Sequence, residues 1–276
     1  MDLNAYLARV GFTGAPAPDA ATLVKLHRAH LEAIAYEALD VPLGVATTTD
    51  PDAAFAKLVT RRRGGWCYEM NGVFAAALEA IGFKVTRLSG AVMRETVGDF
   101  QIGNHLVLIV DLDRPWLADV GFGDGAVEPV PLAAGPFRQD AFDFRLEDLG
   151  DGWWRFHNHP EGGARSFDFN LAVRDEERRA AKCAFLQSDP TSLFVQNAVA
   201  QRHGNGAMAM LVNRTLKRVS AAGVTRADIP DTQSYMRTLR DVFDLDLPEA
   251  ATLWPRICAR HDAILIAQRE QAQQQQ

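Results

Sequence analysis

Three side chains of this sequence have the types needed for covalent catalysis by a thiol. Cys67 follows two glycines in R-R-R-G-G-W-C-Y-E-M-N-G-V-F and precedes an apolar helical pattern. A thiol at the start of a helix lies near the positive end of the helix dipole, which favours the thiolate. His105 opens the apolar segment H-L-V-L-I-V-D, and Asp119 lies within W-L-A-D-V-G-F-G. Because a nucleophilic thiol needs a base and the base needs an orienting group, this combination favours Cys67, His105 and Asp119 for those roles.

Each of the three also has a simpler interpretation. A lone cysteine is more often a small buried apolar residue than a nucleophile. His105 is equally typical of a surface residue at a strand end, and Asp119 of a carboxylate that binds loop amides. A carboxylate inside an apolar segment is costly unless it is paired, however, and an imidazolium is a suitable partner. The three together therefore favour chemistry over packing.

The cysteine is carried by a predicted helix that ends at Gly82, a residue type common after the last helical turn. Apolar residues recur through it at helical spacing, namely Met70, Val73, Phe74, Ala77, Leu78 and Ile81. An earlier helix follows Asp50, which has the pattern of an N-cap before Pro51. Glu37 and Arg63 are opposite charges in this helical region, and we expect them to form a buried ion pair.

The histidine and the aspartate fall in a different kind of segment. From residue 84 to 169 the apolar runs are short, rich in β-branched and aromatic residues, and separated by turn residues. This pattern predicts an antiparallel sheet or small barrel. Neighbouring strands there can place His105 beside Asp119, with the Cys67 helix packed across their ends.

Helices return beyond residue 175. The segment from Asp189 to Gly204 has the pattern of one helix with an N-cap, a proline at its first position and a glycine after its end. A last helix is predicted over 248–268, followed by a polar, low-complexity tail over 269–276. Helices, then strands, then a mixed segment indicate an α+β chain and not an alternating βαβ one.

Composition and charge exclude several classes of protein. The 276 residues are 47% hydrophobic and 23% charged, which is ordinary for a soluble globular enzyme. A net charge of −6 with one short basic cluster argues against nucleic-acid binding. Three widely spaced cysteines form no disulfide framework and fit a reducing compartment. We found no signal peptide and no membrane-length apolar run, so the sequence predicts a cytoplasmic protein.

The motifs around these residues resemble the arylamine N-acetyltransferase family. The resemblance is carried by R-G-G-W-C-Y-E, N-H-L-V-L, A-D-V-G-F-G, L-H-R-A-H-L-E-A-I-A-Y-E and P-T-S-L-F-V-Q-N, which run in order to about residue 220. It implies a helical bundle over 1–83, an antiparallel β-barrel over 84–180 and an α/β lid over 181–268, with a cysteine-protease-like Cys-His-Asp core. The residues 269–276 would then be a disordered tail.

The resemblance also implies a ping-pong acetyl transfer from acetyl-CoA to an arylamine or hydrazine, without a metal. Cys67 would carry the acetyl group, with His105 as base and Asp119 as orienter. The positions that match the family's substrate pocket are Tyr36, Tyr68, Val92, Phe122 and Phe194. The departures from the family's usual motifs are Ala35, Tyr36, Ala38 and Met70. The sequence leaves the oligomeric state open between a monomer and a homodimer.

The sequence leaves open the role of the glycine-rich segment G-F-G-D-G and the choice between several functions. Gly121, Gly123 and Gly125 could let backbone amides approach the phosphates of the coenzyme, or could simply form a turn. The same three catalytic residues would suit an amide synthase that closes a macrolactam, or a thiol amidase or transglutaminase-like hydrolase. A non-enzymatic alternative is a binding module in which Cys67 senses oxidants. The H-N-H-P-E-G-G loop lacks a third metal ligand and is interpreted as a polar loop.

Overall fold

The structure is a computed structural model that describes residues 1–274 of the chain. Helices dominate its first part. The helices are α1 (Leu3–Arg9), α2 (Ala20–Ala33), α3 (Pro51–Phe55), which continues into a π-helical turn (Ala56–Thr60), and α4 (Cys67–Ile81). Asp50 caps α3 as predicted, because its side chain accepts a hydrogen bond from the N–H of Asp52. Gly82 ends α4 with a φ of 107°, a backbone angle that favours glycine.

The middle of the chain forms an eight-stranded antiparallel sheet in the order β5-β4-β3-β2-β9-β8-β7-β6. Its strands are β2 (Lys84–Val92), β3 (His105–Asp111), β4 (Pro115–Leu117), β5 (Val130–Pro131), β6 (Gly135–Gln139), β7 (Phe142–Gly150), β8 (Trp153–His157) and β9 (Ser166–Asn170). Helix α5 (Arg94–Val97) and a 3₁₀ turn (Asp99–Gln101) connect β2 to β3. Side chains from both end strands, Val130 on β5 and Phe137 on β6, pack in one core with Phe156 and Phe167. The sheet therefore curls around that core.

The last part of the chain adds a second sheet covered by helices. Its elements are α6 (Glu176–Ser188), α7 (Leu193–Gln196), β10 (Val199–Gly204), β11 (Ala207–Val212), β12 (Thr215–Ser220), β13 (Gly223–Asp228), α8 (Thr232–Phe243), a 3₁₀ helix (Pro248–Leu253) and α9 (Trp254–Gln274). The sheet has the order β1-β10-β11-β12-β13, and all of its pairs are antiparallel. Strand β1 (Tyr36–Glu37) comes from the N-terminal region, so this sheet joins the two ends of the chain. The predicted α+β class is confirmed.

The structure corrects the predicted helix from Asp189 to Gly204. Only α7 is helical there, and residues 199–204 form strand β10, because pairing with β1 and β11 satisfies their backbone groups. Burial of Ala198 and Ala200 in the core beneath α8 adds to this tertiary preference.

The ends of two predicted regions also differ from the structure. Residues 176–188 are one unbroken helix, so the boundary placed between 180 and 181 falls inside α6. Helix α9 runs to Gln274, so residues 269–274 are helical rather than part of an irregular tail, since glutamine is a good helix former and nothing interrupts the helix. Residues 275 and 276, the rest of the predicted tail, lie outside the described residues. Within residues 1–274, no helix is long and apolar enough to cross a membrane.

Candidate active site

Cys67 is the first residue of α4 and follows a segment that packs closely against β1. Gly65 forms a parallel bridge with Tyr36, and the N–H of Glu37 donates to the carbonyl of Gly65 (2.9 Å). A Cβ at Gly64 would overlap the backbone of residue 35, so the glycine is required by this close approach. The resulting turn presents Cys67, only 4% exposed, at the helix start that was predicted for it.

The predicted base and orienter are in direct contact. Nε2 of His105 lies 2.5 Å from Oδ2 of Asp119, and both residues are buried. His105 opens β3 as predicted, whereas Asp119 lies two residues beyond the end of β4 instead of within a strand. Burial alone would raise the pKa of Asp119, but His105, Asn71 and the N–H of Gly121 hold it below its usual value. An ionised Asp119 makes Nε2 of His105 the donor and leaves Nδ1 as the acceptor.

Asn71, which sequence reasoning missed, joins the cysteine helix to β3 and to the loop after β4. Its Nδ2 donates to the carbonyl of Leu106 (2.6 Å) and to Oδ1 of Asp119 (2.7 Å), and its Oδ1 accepts from the N–H of Val120 (2.9 Å). Asn71 is four residues after Cys67, so it lies one helical turn further along the same face. That spacing was the one sequence signal that could have identified it.

The sulfur of Cys67 lies against the backbone on either side of His105. Its Sγ is 3.8 Å from the carbonyl oxygen of Asn104. Burial raises the pKa of the Cys67 thiol, and the N–H groups of Leu106 and Tyr68 offset only part of this effect. The helix start was expected to favour the thiolate and so lower this pKa, but removal of the sulfur from water is the larger influence. Ionisation of Cys67 therefore depends on a base.

A buried cluster of five charged side chains lies beside the start of α4. The predicted pair of Glu37 and Arg63 is present, with Nη2 of Arg63 2.7 Å from Oε1 of Glu37. Lys57 adds contacts to Asp40 (2.7 Å) and Glu69 (2.8 Å), and Arg63 also reaches Asp40 (2.8 Å). The carboxylate of Glu69 accepts from the N–H of residue 66 (3.2 Å), which joins this cluster to the residue before Cys67.

The five predicted substrate-contact residues surround the cysteine in different ways. The Tyr68 hydroxyl is buried and donates to the carbonyl of Gly103 (2.7 Å), so it is engaged within the protein. The Phe194 ring is half-buried and packs edge-on against Trp66, with ring centroids 5.4 Å apart. Phe122 packs against the His105 ring, with centroids 5.7 Å apart.

The other two lie on strands at the edge of the same region. The N–H of Val92 donates to Oδ1 of Asn104 (2.8 Å), whose carbonyl contacts the sulfur. Tyr36 lies on β1 and is 8% exposed. Contact of these five side chains with a substrate stays a prediction.

The three glycines of G-F-G-D-G are each packed against protein atoms. A Cβ at Gly121 would lie 2.6 Å from Nδ2 of Asn71, and one at Gly125 would lie 3.1 Å from the Phe122 ring. Gly123 has a φ of 84°, and a Cβ there would overlap the side chain of Gln201. Close packing is thus a sufficient reason for glycine at each position, and their contact with coenzyme phosphates stays a prediction.

The histidines outside the site have other surroundings. Nδ1 of His27 donates to the carbonyl of Val127 (2.9 Å), while His159 is buried against the Phe142 ring. Across residues 1–274 no group of three or more His, Cys, Asp or Glu side chains is arranged to hold a metal ion.

This arrangement defines a class of protein. The chain is α+β, with a thiol at a helix start and a hydrogen-bonded histidine–aspartate pair beside it, and these groups suit acyl transfer through sulfur.

A model of the N-acetyltransferase family matches residues 19–252. The arylamine N-acetyltransferase of Mycolicibacterium smegmatis is 44% identical over 159 residues, 55% of this chain and 58% of that protein. That of Escherichia coli K12 is 30% identical over 253 residues, 90% of each chain.

Solved structures agree with the sequence comparisons. The arylamine N-acetyltransferase of Mycobacterium marinum in complex with CoA is similar to this chain with a TM-score of 0.82 and 30% identity, over 94% of this chain and 98% of that one. The chain belongs to the arylamine N-acetyltransferase family.

Proposed function

We propose that this protein transfers an acetyl group from acetyl-CoA, through a thioester on Cys67, to the nitrogen of an arylamine or arylhydrazine. The observation that carries the proposal is the 2.5 Å contact between His105 and Asp119 beside a thiol held against the residues flanking that histidine. Family membership and the CoA complex of the M. marinum relative support the choice of donor.

The first half-reaction begins with a neutral thiol, because burial raises the pKa of Cys67. Nδ1 of His105 takes the thiol proton while the sulfur attacks the carbonyl carbon of the thioester, and the resulting imidazolium is stabilised by Asp119. The N–H of Cys67 makes no hydrogen bond with a described residue, so it is free to donate to the developing oxyanion. The bond to coenzyme sulfur then breaks, and His105 returns the proton to that sulfur.

The second half-reaction uses the same groups in the same order. An arylamine is weakly basic and therefore neutral near pH 7, so its nitrogen can attack the acetyl-cysteine. His105 accepts a proton from that nitrogen and returns it to the sulfur of Cys67 as the amide leaves. The near-complete burial of Cys67 and His105 limits the access of water to the thioester, which favours an amine over hydrolysis.

Steady-state kinetics with both substrates varied test this sequence of steps. With acetyl-CoA and p-anisidine, a thioester intermediate that forms before the amine binds predicts parallel double-reciprocal lines. Intersecting lines would exclude that intermediate. Release of free CoA at equal rates with and without the amine would identify a hydrolase, and turnover of a carrier-bound acyl chain but not of acetyl-CoA would identify an amide synthase.

A further inference from the structure

Tyr36 and Gln201 form a cross-strand pair that the mechanism above does not use. They are directly opposite each other in the antiparallel pairing of β1 with β10. Side chains of such partners project from the same face of the sheet and lie side by side. Both also approach Gly123, whose added Cβ would lie 3.2 Å from the Tyr36 ring and would overlap the Gln201 carboxamide.

The polar ends of both side chains lack partners within the protein. Tyr36 is 8% exposed and Gln201 is 7% exposed, yet neither the phenol nor the carboxamide bonds to a residue that the structure describes. Neither is among the polar atoms that are fully sealed from solvent without a partner. The phenol and the carboxamide therefore reach solvent from largely enclosed side chains, and both keep their hydrogen-bonding capacity for a bound molecule. The pair therefore has the character of a site that is completed by a ligand.

The position and charge of the pair limit what the ligand can be. Tyr36 bridges Gly65, two residues before Cys67, and its phenol is close enough to Cys67 for the thiol to influence the phenol's pKa, so a ligand here lies near the Cys67 side chain. Burial and the neighbouring Cys67 raise the pKa of Tyr36, so its hydroxyl stays a neutral donor. The buried carboxyl of Asp124 follows Gly123 directly and accepts from Asn158 (3.1 Å), which disfavours a second anion nearby. A neutral group with one donor and one acceptor fits these constraints.

We propose that Tyr36 and Gln201 bind the amide of the pantetheine arm that is nearest to the thioester of the acyl donor. A secondary amide has one N–H and one carbonyl, and a phenol beside a carboxamide supplies the complementary acceptor and donor. Two methylene groups separate this amide from the thioester sulfur, so it must lie close to Cys67 when the acetyl group is transferred. The inference rests on the proposed function, since it assigns part of the donor site.

Two small donors isolate the contribution of this amide. N,S-diacetylcysteamine keeps the thioester and the nearest amide, whereas S-ethyl thioacetate keeps the thioester alone. The rate of Cys67 acetylation by each would be measured by mass spectrometry and divided by its rate with a free thiol. The wild-type protein should prefer the amide-containing donor at least tenfold. Tyr36→Phe and Gln201→Met should each remove most of that preference, a reduction of about tenfold. Tyr235→Phe, which removes a buried hydroxyl on α8, is the matched control and should leave the preference unchanged.

The outcomes separate this inference from the proposed function. If neither donor nor acetyl-CoA acetylates Cys67 in the wild-type protein, the proposed function fails. If the wild-type protein is acetylated with no preference between the two small donors, the amide site is overturned and the proposed function stands. The same holds if the substitutions change only the later, amine-dependent step. Because the wild-type preference needs no substitution, the inference stays testable even if a variant does not fold.

Discussion

Substitution of Lys57 by methionine should destabilise the protein far more than the loss of an exposed cation. Lys57 is the cation nearest to Glu69 and Asp40 in the buried cluster, and it also lies 4.0 Å from Glu37. The cluster holds three carboxylates and two cations, so Lys57→Met leaves Arg63 as the only cation beside three acidic groups. Breaking a buried ion pair by removing one partner costs about 3–5 kcal/mol, and we expect a loss of that size.

The pH dependence of this loss gives a second test. Burial raises the pKa of Glu69 to about 7, although Lys57 lowers it. Without Lys57 the pKa should rise further, so the folded variant takes up a proton that the unfolded chain, with an ordinary glutamate, does not bind. A folded-state pKa above the unfolded value makes stability increase as the pH falls. The deficit relative to wild type should therefore be largest near pH 8 and should shrink towards pH 5.

The assay is urea unfolding followed by circular dichroism at several pH values, with Arg87→Met as the matched control. Arg87 bonds Glu79 through two nitrogens, but both side chains are substantially exposed, so that pair should contribute less than about 1 kcal/mol. Equal losses for the two variants, or a Lys57→Met deficit that grows as the pH falls, would refute the reasoning about the buried cluster.

Three further predictions concern single side chains. Burial lowers the pKa of His203 to about 4, so between pH 6.5 and pH 4 the unfolded chain binds a proton that the folded protein does not. Urea titrations of the wild-type protein should therefore show a loss of stability between pH 7 and pH 5, and His203→Leu should remove about 2 kcal/mol of that loss. An unchanged dependence of the unfolding free energy on pH would contradict this. Asn71→Ala should slow the acetylation of Cys67 about 100-fold, because Asp119 would lose the hydrogen bond that positions it. The rate would be measured by acid quenching at timed intervals, and a normal rate would show that Asn71 does not position Asp119. Gly121→Ala should cost about 1–3 kcal/mol because its Cβ would press on Asn71, whereas Gly204→Ala, where a Cβ meets nothing within 4 Å, should be tolerated; equal thermal stability of the two would be inconsistent with this packing.

The structural features around Cys67 that were predicted correctly depend mainly on local signals. The start of α4 at Cys67 follows from the glycines before it and the apolar spacing after it, and Gly82 ends the helix for reasons local to that residue. The start of β3 at His105 likewise follows from an apolar run after turn residues. The contact between His105 and Asp119 was predicted because a carboxylate in an apolar segment needs a partner.

The parts that were missed depend on contacts between distant segments. The bonds of Asn71 join α4 to residues of β3 and to the loop after β4, and no local pattern specifies them. Strand β10 has the capping residues of a helix, but pairing with β1 and β11 decides its conformation. The raised pKa of Cys67 reflects its burial by the whole fold, which outweighs the helix start that the sequence shows.

The most direct test of the account is the identity of the group that carries the acetyl unit. The protein would be mixed with acetyl-CoA in the absence of an amine, quenched, digested and examined by mass spectrometry. The account predicts one acetyl group on Cys67, absent in Cys67→Ala, retained in Cys183→Ala and lost when p-anisidine is added before the quench. An unmodified Cys67 in a protein that still acetylates the amine, or an acetyl group on Cys183 instead, would contradict it.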